Sequence, residues 1–175
     1  MKTRRKVAIG DGRGFTLVEV LVASMILVVA LLSLATMFPV GYRQITDAGR
    51  MTMAVTGGRH ILEDIGALPF DSVINLNGVD TGTNAGTISG LAEPERTIAR
   101  RWRYMLAGAG DGFSFSGGEL AEWGSVTSFG GRATIQVACV PGPCPAGNLR
   151  TATVTLTVPG LPSAVTMSTV LVRFF

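Results

Sequence analysis

The pattern of apolar and polar positions divides this 175-residue chain into three regimes. From Phe15 to Val40 nearly every position is apolar. From Tyr42 to about Ala67 apolar residues recur every three or four positions, and from Ala133 onward two stretches alternate with period two. The first regime predicts a helix without a preferred face. Its 26 residues make a helix about 39 Å long, enough to cross the ~30 Å hydrocarbon core of a bilayer. In the second regime Met51, Val55, Gly58, Leu62 and Ile65 share one helix face, with Arg50, Arg59, Glu63 and Asp64 off it. Gly66 and Pro69 are stop signals, so one long helix is expected from about Phe15 to Ala67. Pro39 removes a backbone hydrogen bond and crowds the preceding turn, which predicts a kink or local unwinding just before it. Gly57 and Gly58 each weaken the helix by about 1 kcal/mol relative to Ala. Their small size allows a sheet or a second helix to approach closely.

The third regime predicts strands at Ala133–Val140 and Arg150–Val158. In the second of these, Ala152, Val154, Leu156 and Val158 alternate with Thr151, Thr153, Thr155 and Thr157, as in an antiparallel sheet with one face in the core. Ser163–Phe175 is a further strand candidate. Thr97–Leu106 also suggests a strand, with Ile98, Trp102, Tyr104 and Leu106 on one face and Arg101 and Arg103 on the other. Asn75–Gly90 is polar and rich in Gly, Asn and Thr, and predicts a loop. Gly108–Gly131 predicts a long loop containing a short strand or helical turn.

Charge changes the picture at the N-terminus. Residues 1–14 hold Lys2, Arg4, Arg5, Lys6 and Arg13 against Asp11, so the formal +3 of the whole chain belongs to this leader. The remaining 10 Arg face 11 acidic residues, and a near-neutral body carries no global argument for nucleic acid. A basic flank before an apolar span stays in the cytoplasm, which places the C-terminal part outside. A cleaved secretory signal has an apolar run of about 7–15 residues ending at a small-residue site. Here the run is longer, contains Glu19 and leads into Met37-Phe38-Pro39. Glu19 is the anomaly of the span, since a carboxylate at bilayer depth costs on the order of 2.5–3.5 kcal/mol and usually has a partner.

Arg13-Gly14-Phe15-Thr16-Leu17-Val18-Glu19, with basic residues before it and an apolar helix after it, resembles the N-terminal motif of type IV pilins and type II secretion pseudopilins. The resemblance implies cleavage between Gly14 and Phe15 by a membrane-embedded prepilin peptidase, N-methylation of Phe15, and pairing of the Glu19 carboxylate with the N-terminal amine of a neighbouring subunit. It implies an α+β, pilin-like fold: a long N-terminal α-helix, membrane-spanning in its first half, packed on a C-terminal antiparallel β-sheet. The implied organisation is a leader over 1–14, a helix over 15–68 whose transmembrane part is 15–40, and a β-rich extracytoplasmic domain over 69–175. The implied partners are other pilin or pseudopilin subunits, the prepilin peptidase, an inner-membrane assembly platform and membrane lipid. The implied location is the bacterial inner membrane, crossed once, and then a pilus or pseudopilus. The Arg-flanked Trp102 segment and the later strands are similar to minor pilins (PilV-like) and minor pseudopilins, and Glu19 sets the chain apart from the tip pseudopilin that lacks this residue. The competing class is a single-pass anchored binding domain that never polymerises, which has no use for a charge at that depth.

The rest of the chain offers little chemistry. Cys139 and Cys144 flank Val-Pro-Gly-Pro and, outside the cytoplasm, predict a disulfide closing a small loop. His60 is the single histidine and has no Cys or second His at ligand spacing, so no metal site is expected. The Asn and Asp oxygens of 75–90 lack the loop pattern of a calcium site. Arg96, Arg100, Arg101 and Arg103 interleave with Trp102 and Tyr104 and admit a single-stranded nucleic-acid reading, the weaker alternative to an ordinary solvated face. With no nucleophile–base pair, paired carboxylates or phosphate loop, the chain is expected to be neither an enzyme nor a cofactor binder.

Overall fold

The computed structural model describes residues 14–82, 85–140, 142, 144 and 147–173. The chain divides after Gln44 into two compact units. Helix α1 (Leu17–Ala67) runs through that division.

In the first unit the apolar positions of α1 are exposed, and its most apolar 18-residue window has a mean hydropathy of 2.7 with none of it buried. Three hydroxyls inside the run bond back to their own helix: Ser24 Oγ donates to Leu21 O (2.9 Å), Ser33 Oγ to Val29 O (2.9 Å) and Thr36 Oγ1 to Ser33 O (2.8 Å). Such back-bonding leaves no unmatched hydroxyl for a lipid environment. The helix continues through Pro39 without interruption, so the local unwinding expected there is absent.

In the second unit α1 buries Ala54, Gly58, Ile61 and Ile65. This face is turned from the expected one: Gly58 and Ile65 belong to both, whereas Met51 is exposed and Val55 and Leu62 are only partly covered. Gly58 sets the rotation. A Cβ there would run into Met167 Cε and lie 2.8 Å from Leu156 Cδ1, so the helix backbone rests directly on the sheet. Gly58→Leu is therefore expected to destabilise the protein by about 3 kcal/mol through overpacking. Urea unfolding of the detergent-solubilised protein measures this, and an unchanged midpoint would contradict the close approach.

The sheet is antiparallel in the order β1 (Arg132–Val140), β2 (Leu149–Thr157), β3 (Val165–Val172). Ile135 lies opposite Val154, and Val154 opposite Met167. Ala133, Ile135, Ala152, Val154 and Leu156 are buried, and the threonines between them are not. The outer edge of β1 is covered by the segment 78–81, where Gly78 N donates to Ile135 O (2.9 Å), Ile135 N to Val79 O (2.9 Å) and Thr81 N to Ala133 O (2.9 Å). The stretch expected to be a loop over 75–90 is thus partly an added edge, and Ala85–Ser89 forms a short helix, α2.

The expected strand over Thr97–Leu106 is instead helix α3 (Glu95–Ala107). Ile98, Trp102 and Leu106 are also spaced four apart, and the buried positions Glu95, Ala99, Trp102, Arg103 and Leu106 follow a helical stripe. Ala, Arg, Met and Leu are helix formers, and few β-branched residues stand among them. Gly108 ends the helix with a positive φ of 72°, a conformation that suits glycine. Between 108 and 131, expected as a long loop with a short strand or helical turn, α4 (Gly117–Trp123) is set by a capping box: the Ser116 side chain accepts from Glu119 N, and the Glu119 carboxylate from Ser116 N.

Candidate functional site

Gly14, Phe15 and Thr16 precede the first helical turn, and Phe15 is 81% exposed. Thr16 caps the helix. Its Oγ1 accepts from Glu19 N (3.2 Å) and its carbonyl from Val20 N (3.2 Å). Glu19 lies in the first turn, where the positive end of the helix dipole favours an acid. Its carboxylate is exposed, and no described residue donates to it. Thr16-x-x-Glu19 has the spacing of a capping box, a signal that the apolar pattern around it hides. The leader residues Lys2, Arg4, Arg5, Lys6 and Arg13 lie outside the described residues.

Cys139, near the end of β1, is disulfide-bonded to Cys144, with 5.2 Å between the Cα atoms. His60 is half-exposed, with Nδ1 3.7 Å from Asp64 Oδ2. Asp64 is the better-connected group: it accepts from Arg101 Nη2 (2.7 Å) and from the indole Nε1 of Trp102 (2.8 Å), tying α1 to α3. Among the described residues no three His, Cys, Asp or Glu side chains cluster as a metal site. In the 75–90 segment the Asp80 carboxylate is engaged by Arg132 and by Gly82 N (2.8 Å). Burial raises its pKa, and these donors outweigh that and hold it below the usual value.

The arginines of α3 are each matched. Arg96 meets Glu93 (2.8 Å), Arg101 meets Asp64, and Arg100 reaches Glu119 through two nitrogens (2.6 and 3.0 Å). Arg103 is 3% exposed and donates to the carbonyls of Gly82 (2.7 Å) and Gly108 (3.0 Å) and to Asp111 (3.2 Å). Trp102 is fully buried and unavailable for stacking on a base. The nucleic-acid reading thereby loses its strand, its platform and its free cations.

The Arg100–Glu119 pair holds α4 beside α3, next to a ring trio of Tyr104, Phe115 and Trp123 with centroids 5.3–5.8 Å apart. Hydrogen bonding from Arg100, more than the opposing effect of burial, draws the Glu119 carboxyl down to about 2, with Ser116 assisting. A carboxyl depressed from its usual 4.5 contributes stability above that value and loses it as the pH falls towards 2. Loosening of α4 over that window is expected, read as increased solvent exposure of Trp123 by fluorescence quenching. Arg100→Gln should remove the pH dependence.

Sequence reasoning passed over Arg150. It is 1% exposed, donates to the carbonyl of Phe70 and to Asp71 Oδ1 (3.5 Å), and stacks 4.2 Å from the Phe70 ring centroid. Arg173 also pairs with Asp71. Arg150 shares the parity of Ala152, Val154 and Leu156, so strict alternation would have placed it inward. The cluster secures the chain that follows α1 to β2.

Residues 12–35 match the family model described as the prokaryotic N-terminal methylation motif. The match supports a type IV pilin-like or pseudopilin subunit, a structural class, and one apolar N-terminal helix fits an inner-membrane anchor. Comparison with curated proteins and with solved structures returns no match.

Proposed function

We propose that this chain is a minor pilin or minor pseudopilin, a structural subunit that is processed in the inner membrane and then joins or primes a filament. The prepilin peptidase cuts between Gly14 and Phe15, Phe15 is N-methylated, and the residues of the leader stay in the cytoplasm. The assembly platform then moves the subunit from lipid into a pilus or pseudopilus made of related subunits. The single observation that carries this reading is the methylation motif seated on an exposed apolar run, Phe15 to Val40, whose one acid, Glu19, accepts from no donor among the described residues. A carboxylate moved into a low-dielectric filament core needs a cation, and the α-amine created at Phe15 of a neighbour is a cation of the right kind. A disulfide between Cys139 and Cys144 suits an extracytoplasmic C-terminal unit.

Intact mass spectrometry of the protein from its native membrane fraction tests the proposal. The expected mass begins at Phe15, carries one added methyl group and lacks two thiol hydrogens. A mass beginning at Met1, from cells with an active peptidase, would overturn it and leave the single-pass anchored domain as the better reading.

A further inference from the structure

We infer that Thr16 is a positioning residue for processing: its hydroxyl sets the start of α1, so that the Gly14–Phe15 bond is presented outside the helix. The inference rests on the processing reading above and adds a determinant to it. A peptidase hydrolyses extended chain: water adds to the scissile carbonyl, the C–N bond breaks, and Gly14 leaves as a carboxylate and Phe15 as an amine. A bond inside a helix, with its N–H and C=O engaged, resists that approach. An apolar run such as this one has no internal reason to begin its helix at one residue rather than another.

The structure supplies the reason at Thr16. The hydroxyl oxygen occupies the Glu19 N–H (3.2 Å), which a helix extended by one more turn would direct to the carbonyl of Phe15. The Thr16 carbonyl takes the first intrahelical bond, from Val20 N (3.2 Å). Gly14 to Thr16 are consequently non-helical, and all three are exposed. A Cβ placed on Gly14 would meet nothing within 4 Å, so no described residue outside its chain neighbours crowds the bond. Capping acts through the hydroxyl, since Ser and Thr are preferred N-caps and apolar β-branched residues are not. Val, which matches Thr in shape, isolates that group.

The test is cleavage of the full-length precursor, in proteoliposomes of mixed phospholipid, by purified prepilin peptidase, with products identified by mass. Thr16→Val is expected to lower kcat roughly fivefold, the equivalent of one typical cap, and to leave KM within about twofold. Thr16→Ser is expected to cut at the wild-type rate. If wild type is cut after Gly14 and Thr16→Val is cut equally fast, the positioning role is overturned and the processing reading stands. If Thr16→Ser is as slow as Thr16→Val, side-chain shape and not the hydroxyl matters, and the role is again overturned. If wild type itself is not cut, the processing reading fails and this inference fails with it.

Discussion

Glu19→Ala is expected to leave membrane insertion intact and to reduce incorporation into filaments at least tenfold. Insertion depends on the apolar length from Phe15 to Val40, which the substitution leaves unchanged and makes more favourable to insert by removing a charge that is costly at bilayer depth. Assembly depends on what the carboxylate meets after leaving the lipid. Among the described residues it meets no donor: the side chain is exposed at the first turn, and the backbone N–H of Glu19 is engaged by Thr16. If its partner in the filament is the Phe15 amine of a neighbour, the substitution leaves that amine buried and unmatched. Removing one member of a buried ion pair costs about 3–5 kcal/mol, while tenfold in an equilibrium requires only about 1.4 kcal/mol. The measurement is the ratio of filament-associated to membrane-associated subunit in sheared and pelleted fractions. Incorporation at the wild-type level would remove the pairing role, whatever the outcome for cleavage. Glu19→Gln separates charge from shape, because it keeps the length of the side chain and loses the charge.

Trp102→Ala is expected to destabilise the second unit by about 3–5 kcal/mol, the usual range for truncating a buried Trp. Trp102 is the largest fully buried side chain, and its indole N–H reaches across to Asp64 on α1 at 2.8 Å. The substitution therefore opens a cavity within the core and removes one of the two donors that hold Asp64. A loss of that size lowers the thermal midpoint by roughly 10–20 °C for a unit of this length. Trp102→Phe, which keeps most of the packing and loses the hydrogen bond, should cost about 1–2 kcal/mol. Thermal unfolding of the detergent-solubilised protein, followed by near-ultraviolet circular dichroism, distinguishes the two. A loss under 1 kcal/mol for Trp102→Ala would show that α3 is held to the core by something else.

Some of these groups were open to a sequence reading and others were not. Glu19 stood out because a charge in an uninterrupted apolar run is anomalous whatever surrounds it. Arg150 was legible in principle, from its parity with the buried positions of β2, but an arginine on the inward face is credible only once the Phe70 carbonyl and Asp71 are seen to receive it. The carboxylate partners of Arg100, Arg101 and Arg103 come from 8 to 37 residues away in the chain, and no local pattern names them. The opposite assignment of Thr97–Leu106 arose because Ile98, Trp102 and Leu106 fit an alternating and a four-residue period equally well.

The apolar helix, its continuation towards Ala67, the alternating strands β1 and β2, and the motif from Gly14 to Glu19 all follow from local residue order. Each of these depends on a repeat that is many periods long or on an order of residues met within a few positions, and local sterics and burial act over that same range. Tertiary structure alone decided that α3 is a helix, that α1 turns Ala54 and Ile61 inward instead of Met51, and that segment 78–81 closes the edge of β1. In all three the local preference is nearly balanced. The choice falls to contacts made with residues distant in the chain: Asp64 for Trp102, Met167 and Leu156 for Gly58, and the backbone of Ala133 and Ile135 for the edge.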